Sequence, residues 1–139
     1  MKNRDPQYVQ RIIEYCLKIE DILDSIDYDY NVFITCEVYQ LASSMCIVQI
    51  GENVGRLSDE FKEKYDSIPW RDIKGMRNIT THKYDNMDVV ILWNVLIDRI
   101  PELKDNLMNI NDYEENLLRT TEVYLKEITQ KKRRTKKRK

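Results

Sequence analysis

The chain has 139 residues, enough for one domain of ordinary size, of which 42% are hydrophobic and 34% charged. Three Gly and three Pro are too few to punctuate an all-β domain, and the longest uncharged stretch, Val38 to Gly51, is shorter than the ~20 residues that span a bilayer. The net charge of −1 hides an asymmetry: eight of the last nine residues, KKRRTKKRK, are basic, and the remainder carries 15 basic against 24 acidic residues.

The first helix should begin at Asp5-Pro6, an N-cap followed by a proline in the first helical position. Val9, Ile12, Ile13, Cys16, Ile19, Ile22, Leu23 and Ile26 then recur at helical spacing and define a core face. Residues 27–31, DYDYN, read as a connection. A long second helix is expected from about Val32 to Leu57, and its centre, Ala42 to Ile50, is apolar or small on nearly every side, as for the middle of a bundle. Gly51 and Gly55 stand one turn apart in it. Each costs roughly 1 kcal/mol relative to Ala, so a close approach or a bend is expected there.

Ser58 should cap a short helix through Tyr65, and Ile68-Pro69-Trp70 should start another that carries Ile73, Met76, Arg77, Ile79 and His82. Asp88 should cap a segment from Val89 to Ile100, with Pro101 marking a new start. A last amphipathic helix, about Asp112 to Ile128, precedes a basic tail expected to be disordered. The fold class is therefore all-α, an up-and-down bundle of four to five helices. Its predicted parts are a helical domain over 1–110, an added helix over 111–130 and the tail over 131–139. Trp70, Trp93, Tyr8, Tyr15 and Tyr39 are expected in the core or an interface.

No apolar leader opens the chain, and Cys16, Cys36 and Cys46 are odd in number with no CxxC pair. They read as reduced, buried thiols of a cytoplasmic protein with no membrane association. One His and three scattered Cys do not make a zinc site, and no cofactor is expected.

The single histidine, His82, lies five residues after Arg77, with Asn78 one turn before it and Tyr84 two places beyond. These side chains suit phosphodiester chemistry without a metal. An imidazole with a pKa near ~6.5 can move a proton from a ribose 2′-hydroxyl, and a guanidinium offers a fork to the non-bridging oxygens. Asn78 is placed to fix the imidazole tautomer. On an ideal helix Arg77 and His82 stand ~140° apart, so convergence needs the long arginine side chain or local unwinding. With ten arginines among 139 residues, one falls five places before a given His by chance about 7% of the time, so the spacing alone is weak evidence, and composition by itself favours a structural role for His82.

The ordered elements Gln49-Ile50-Gly51-Glu52, Ile68-Pro69-Trp70-Arg71-Asp72-Ile73 and Met76-Arg77-Asn78-Ile79-Thr80-Thr81-His82-Lys83-Tyr84 are more specific. They resemble the HepT family of the HEPN superfamily, small ribonuclease toxins encoded beside minimal nucleotidyltransferase antitoxins. Val90-Ile91-Leu92-Trp93 and Ile100-Pro101-Glu102-Leu103 resemble its next helices, so the likeness spans roughly residues 8 to 110.

The resemblance implies an α-helical homodimer with the two Arg-x4-His motifs facing one cleft. Arg77 and His82 would be catalytic in metal-independent RNA cleavage, Asn78 would support them, and Tyr84 would be the residue that the cognate nucleotidyltransferase modifies with AMP. The chain would then be the toxin of a type II toxin–antitoxin module. The competing reading is a non-catalytic subunit that presents a nucleotide or substrate to that nucleotidyltransferase. Glu52 is open between lining the cleft and forming a salt bridge. The basic tail, outside the resemblance, is open between a nucleic-acid or ribosome contact, charge neutralisation and solubility.

Overall fold

The computed structural model describes residues 3–78 and 88–137, which among themselves form helices and connections with no strand. The chain divides into two units, Met1–Leu107 and Met108–Lys139. The helices are α1 (Asp5–Ser25), α2 (Tyr30–Thr35), α3 (Glu37–Arg56), α4 (Asp59–Lys64), α5 (Trp70–Gly75) and α6 (Val89–Asn94). A π-helical stretch, Val95–Arg99, then leads into α7 (Ile100–Lys137), whose residues beyond Leu107 make up the second unit.

α1 buries the periodic face expected of it, Val9, Ile12, Ile13, Cys16, Ile19 and Leu23, against α3. α3 also touches α2, α5 and α6, so it is the central element of the first unit, and Ile47, Ile50 and Val54 on it are fully buried. Its centrality is one-sided, however: Ala42 and Met45 are exposed within the stretch expected to be buried nearly all round, and Val38 and Leu41 are exposed just before it. Lys104 of α7 pairs with Glu20 of α1, and that hydrogen bond raises the Lys104 ammonium above its usual pKa. Trp70 and Trp93 are buried, and Tyr8, Tyr15 and Tyr39 are half-buried.

Four local features differ from expectation. Asp5 does not cap α1, because its own backbone is already helical and Arg4 holds the N-cap position. The buried Asp5 carboxylate instead accepts hydrogen bonds from the Ser58 backbone N–H at 2.8 Å and from Ser58 Oγ at 2.5 Å, tying the start of α1 to the α3–α4 connection. Ser58 Oγ accepts in turn from Phe61 N–H at 3.1 Å, the cap of α4 that the sequence predicted.

The predicted helix from Val32 to Leu57 is interrupted at Cys36, which is extended (φ −121°, ψ 106°). β-branched residues weaken this stretch as helix. Side chains then satisfy the ends: Asp29 accepts from Asn31 N–H and Val32 N–H, and Gln40 Nε2 donates to the Phe33 carbonyl at 2.9 Å. The connection before α2 holds Asp27 and Tyr28 in the left-handed region (φ 52° and 53°), where Tyr28 N–H reaches the Leu23 carbonyl.

Asp88 caps α6 as predicted, accepting from Val90 N–H and Ile91 N–H. The helix then widens to a π-turn ahead of Pro101. Proline has no N–H to donate and its ring crowds the carbonyl four residues back, and widening the preceding turn relieves both. Past Pro101 the chain contains neither Gly nor Pro, and Leu, Glu, Lys and Arg are good helix formers. α7 accordingly runs unbroken through the position where a new helix was expected, Asp112. The stretch from 131 that was expected to be disordered is helical as far as Lys137.

The thiols are unpaired; Cys16 and Cys46 are buried and Cys36 half-buried. Burial pushes the Cys16 thiol up to about 12, so almost no thiolate forms there at neutral pH. Iodoacetamide at pH 8 should therefore label Cys36 first and Cys16 only after unfolding. Mass mapping of time-resolved labelling checks this, and early modification of Cys16 would contradict the packing of α1 on α3.

Candidate active site

The end of α5 settles onto α3 at its two glycines. A Cβ on Gly51 would stand 3.4 Å from the Lys74 carbonyl oxygen and 3.5 Å from Arg77 Cβ. One on Gly55 would stand 3.5 Å from Lys74 Cε. The glycine pair is thus a shallow track along which the Lys74 and Arg77 side chains lie, which is the close approach anticipated from their spacing. It also explains why Lys74 and Arg77, three residues apart, present their charges over the same helix.

At the end of this track Arg77 Nη1 donates to Glu52 Oε1 at 2.6 Å. Of the two roles open to Glu52, it forms the salt bridge, and its partner is the arginine singled out for chemistry. Both side chains remain over 40% exposed, so the pair adds at most ~1 kcal/mol to stability. Its larger effect is geometric. A long, flexible guanidinium is held at one place on α3 before any substrate arrives, with its planar fork suited to phosphate oxygens.

Asn78 follows in helical conformation and is exposed. His82 and Tyr84 lie outside the described residues, so the structure joins Arg77 to Glu52, has Asn78 as the next residue in the chain, and neither places nor displaces those two. Among the described residues, no group of three His, Cys, Asp or Glu is positioned to hold a metal ion. A cavity of about 250 Å³ opens elsewhere on α5, between Ile68, Ile73, Met76, Val95 and Leu103, and includes neither Arg77 nor Glu52.

Sequence reasoning missed one feature of this region. Val38, Leu41, Met45, Val48 and Glu52 follow one another at spacings of three, four, three and four on α3. The first three are exposed, Val48 is half-buried, and the stripe ends at the Glu52–Arg77 pair. The spacing was legible, but nothing in it distinguishes a buried stripe from an uncovered one.

Residues 12–110 match the family model described as Ribonuclease HepT-like. A "Putative RNase" of Methanocaldococcus jannaschii is 32% identical over 118 residues, covering 83% of this chain and 99% of the relative. A "Putative RNase" of Caldanaerobacter subterraneus subsp. tengcongensis is 31% identical over 110 residues, covering 79% and 96%. A "Probable ribonuclease HepT" of Thermococcus cleftensis is 31% identical over 104 residues, covering 75% and 93%. No solved structure matches the chain.

Proposed function

The chain belongs to the HepT-like ribonuclease family, and from that premise we propose that it is a metal-independent endoribonuclease acting as the toxin of a toxin–antitoxin module in the cytoplasm. The observation that carries the reading is Arg77, laid along the Gly51–Gly55 track and held by Glu52, five residues before the only histidine of the chain.

In this reaction the His82 imidazole takes the proton of a ribose 2′-hydroxyl as O2′ attacks the adjacent phosphorus. The bond to the 5′-oxygen breaks, and that oxygen leaves with a proton from an imidazolium or water. The product is a 2′,3′-cyclic phosphate. Arg77 takes the non-bridging oxygens as charge builds on them, and Asn78 orients the imidazole. Acid–base help contributes roughly 10²–10⁴-fold and a preorganised cation about 10²–10³-fold.

The uncovered stripe Val38, Leu41 and Met45 supports a homodimer joined through α3. Contiguous exposed apolar residues of this kind mark interaction surfaces, and the stripe leads directly to Glu52 and Arg77, so two copies would bring two sites to one cleft. Met45→Glu should therefore convert the dimer to a monomer in sedimentation equilibrium; an unchanged mass would assign the stripe another role. Tyr84, two residues beyond His82, is the proposed site at which a nucleotidyltransferase partner adds AMP. The added phosphate charge beside the site would repel RNA.

The test is purified protein, shown by mass to be unmodified on Tyr84, incubated with RNA in EDTA beside His82→Ala. A cyclic-phosphate product absent with the variant supports the reading. Intact RNA across tRNA, ribosomes and synthetic strands overturns it in favour of a non-catalytic subunit that presents a nucleotide or substrate to the nucleotidyltransferase.

A further inference from the structure

The second unit, Met108–Lys139, is helical through Lys137 and lies almost wholly beyond the residues that match the family. Its composition changes abruptly after Glu127. From Ile128 onward there is no acidic residue, from Thr129 onward no apolar one, and eight of the last nine residues are Lys or Arg. The helix continues through this block, and Lys131, Lys132, Arg133, Arg134 and Lys136 are all exposed. None of the five is ion-paired among the described residues. Successive helical residues turn by about 100°, so Lys131 to Arg134 surround the helix with positive charge. Lys131 and Arg134, Lys132 and Lys136, and Arg133 and Lys136 stand three or four residues apart, where like charges weaken a helix. A polyanion laid along them removes that repulsion.

We propose that this basic helical segment is an arm that holds the RNA substrate by its phosphates without reading its bases. A folded protein partner fits it poorly, because the centre of a protein interface is apolar and residues 129–139 offer no apolar side chain. An anionic membrane fits it poorly too. The apolar residues that would insert, Leu117, Leu118, Tyr124 and Leu125, are interspersed with Glu115, Glu122 and Glu127, which such a surface repels. Both are also close to flat and would leave part of an all-round charge outside the contact. A flexible polyphosphate can follow that charge round the helix, and release of its counterions drives binding without any apolar burial. No aromatic residue follows Tyr124, so bases have no ring to stack on and the contact is made to the backbone. The rest of the chain carries 15 basic against 24 acidic residues and by itself repels RNA, so a local cationic segment has a purpose in a ribonuclease family member.

Fluorescence anisotropy with labelled oligouridine tests it, on the full-length chain carrying His82→Ala so that the RNA stays whole. Adding Lys131→Gln, Lys132→Gln, Arg133→Gln, Arg134→Gln and Lys136→Gln keeps good helix formers at every position, and far-UV circular dichroism should be unchanged. The five changes should weaken binding at least about tenfold and flatten the slope of log Kd against log salt by about 3, since each phosphate contact on a single strand contributes ~0.7. The loss should be the same factor for oligouridine and oligoadenosine. With His82 intact, the five changes should raise KM and leave kcat. Unchanged affinity and salt slope would overturn the proposal. Equally tight, equally salt-dependent binding of an oligoglutamate of matched charge would overturn it in favour of an acidic protein partner. The role rests on the proposed RNA reaction yet fails separately from it. Cleavage at an unaltered KM by the five-site variant removes the arm and leaves the nuclease, whereas RNA left intact by the unaltered chain removes the nuclease and leaves the measured binding.

Discussion

Arg77→Ala is expected to lower the rate of RNA cleavage by about 10²–10³-fold while leaving thermal stability nearly unchanged. The two halves of that expectation have separate causes. In the proposed reaction the guanidinium would supply a positive fork to a phosphate whose charge increases in the transition state, so its removal should be felt in kcat. The ion pair with Glu52 is solvent-exposed on both sides, so its removal is hardly felt in folding. Arg77→Lys keeps the charge but not the planar fork and should recover only part of the loss. Glu52→Gln should cost less than Arg77→Ala and act on kcat, because Glu52 would act through the guanidinium that it pairs with. Single-turnover cleavage with melting curves on the same samples checks all three. A rate for Arg77→Ala equal to that of the unaltered protein would remove Arg77 from the reaction.

Phe33→Ala should be among the most destabilising single substitutions, at about 3–5 kcal/mol and a fall in Tm of roughly 10–20 °C. α2 has six residues, and Phe33 is its buried one. The ring is fully enclosed and lies 5.1 Å from that of Trp93 on α6, with Tyr30 edge-on to the same indole at 5.5 Å. Removing it opens a cavity beside Trp93 and leaves α2 held by the Tyr30 edge contact and the Gln40 bond to the residue 33 carbonyl, without a buried side chain of its own. Phe33→Leu retains most of the volume and should cost far less. Thermal unfolding followed by circular dichroism measures both. A Tm within a few degrees for Phe33→Ala would mean that α2 does not depend on this contact.

Most of the helical plan was legible because its signals are local. The stripe from Val9 to Leu23, the Asp88 and Ser58 caps and the proline before Trp70 each depend on residues within a turn or two. The errors arose where a distant or widened contact overrode the local signal. Asp5 has the form of an N-cap, yet it serves Ser58, 53 residues away. Val32 to Leu57 reads as one helix, but the Phe33–Trp93 contact and the Gln40 side chain make a break at Cys36 tolerable. The basic end resembles a disordered tract by charge, whereas its residues are strong helix formers continuing a helix already begun.

The candidate site divides in the same way. Sequence by itself determined the all-α class, the central place of α3, the glycine pair and the Arg77–His82 spacing, because helical periodicity and residue chemistry are one-dimensional properties. Tertiary structure decided that Glu52 is the partner of Arg77, that Lys74 and Arg77 pack over Gly51 and Gly55 at van der Waals distance, and that the apolar stripe on α3 faces outward. Each of those is a statement about which surfaces meet, and a periodic pattern specifies a face without specifying what covers it.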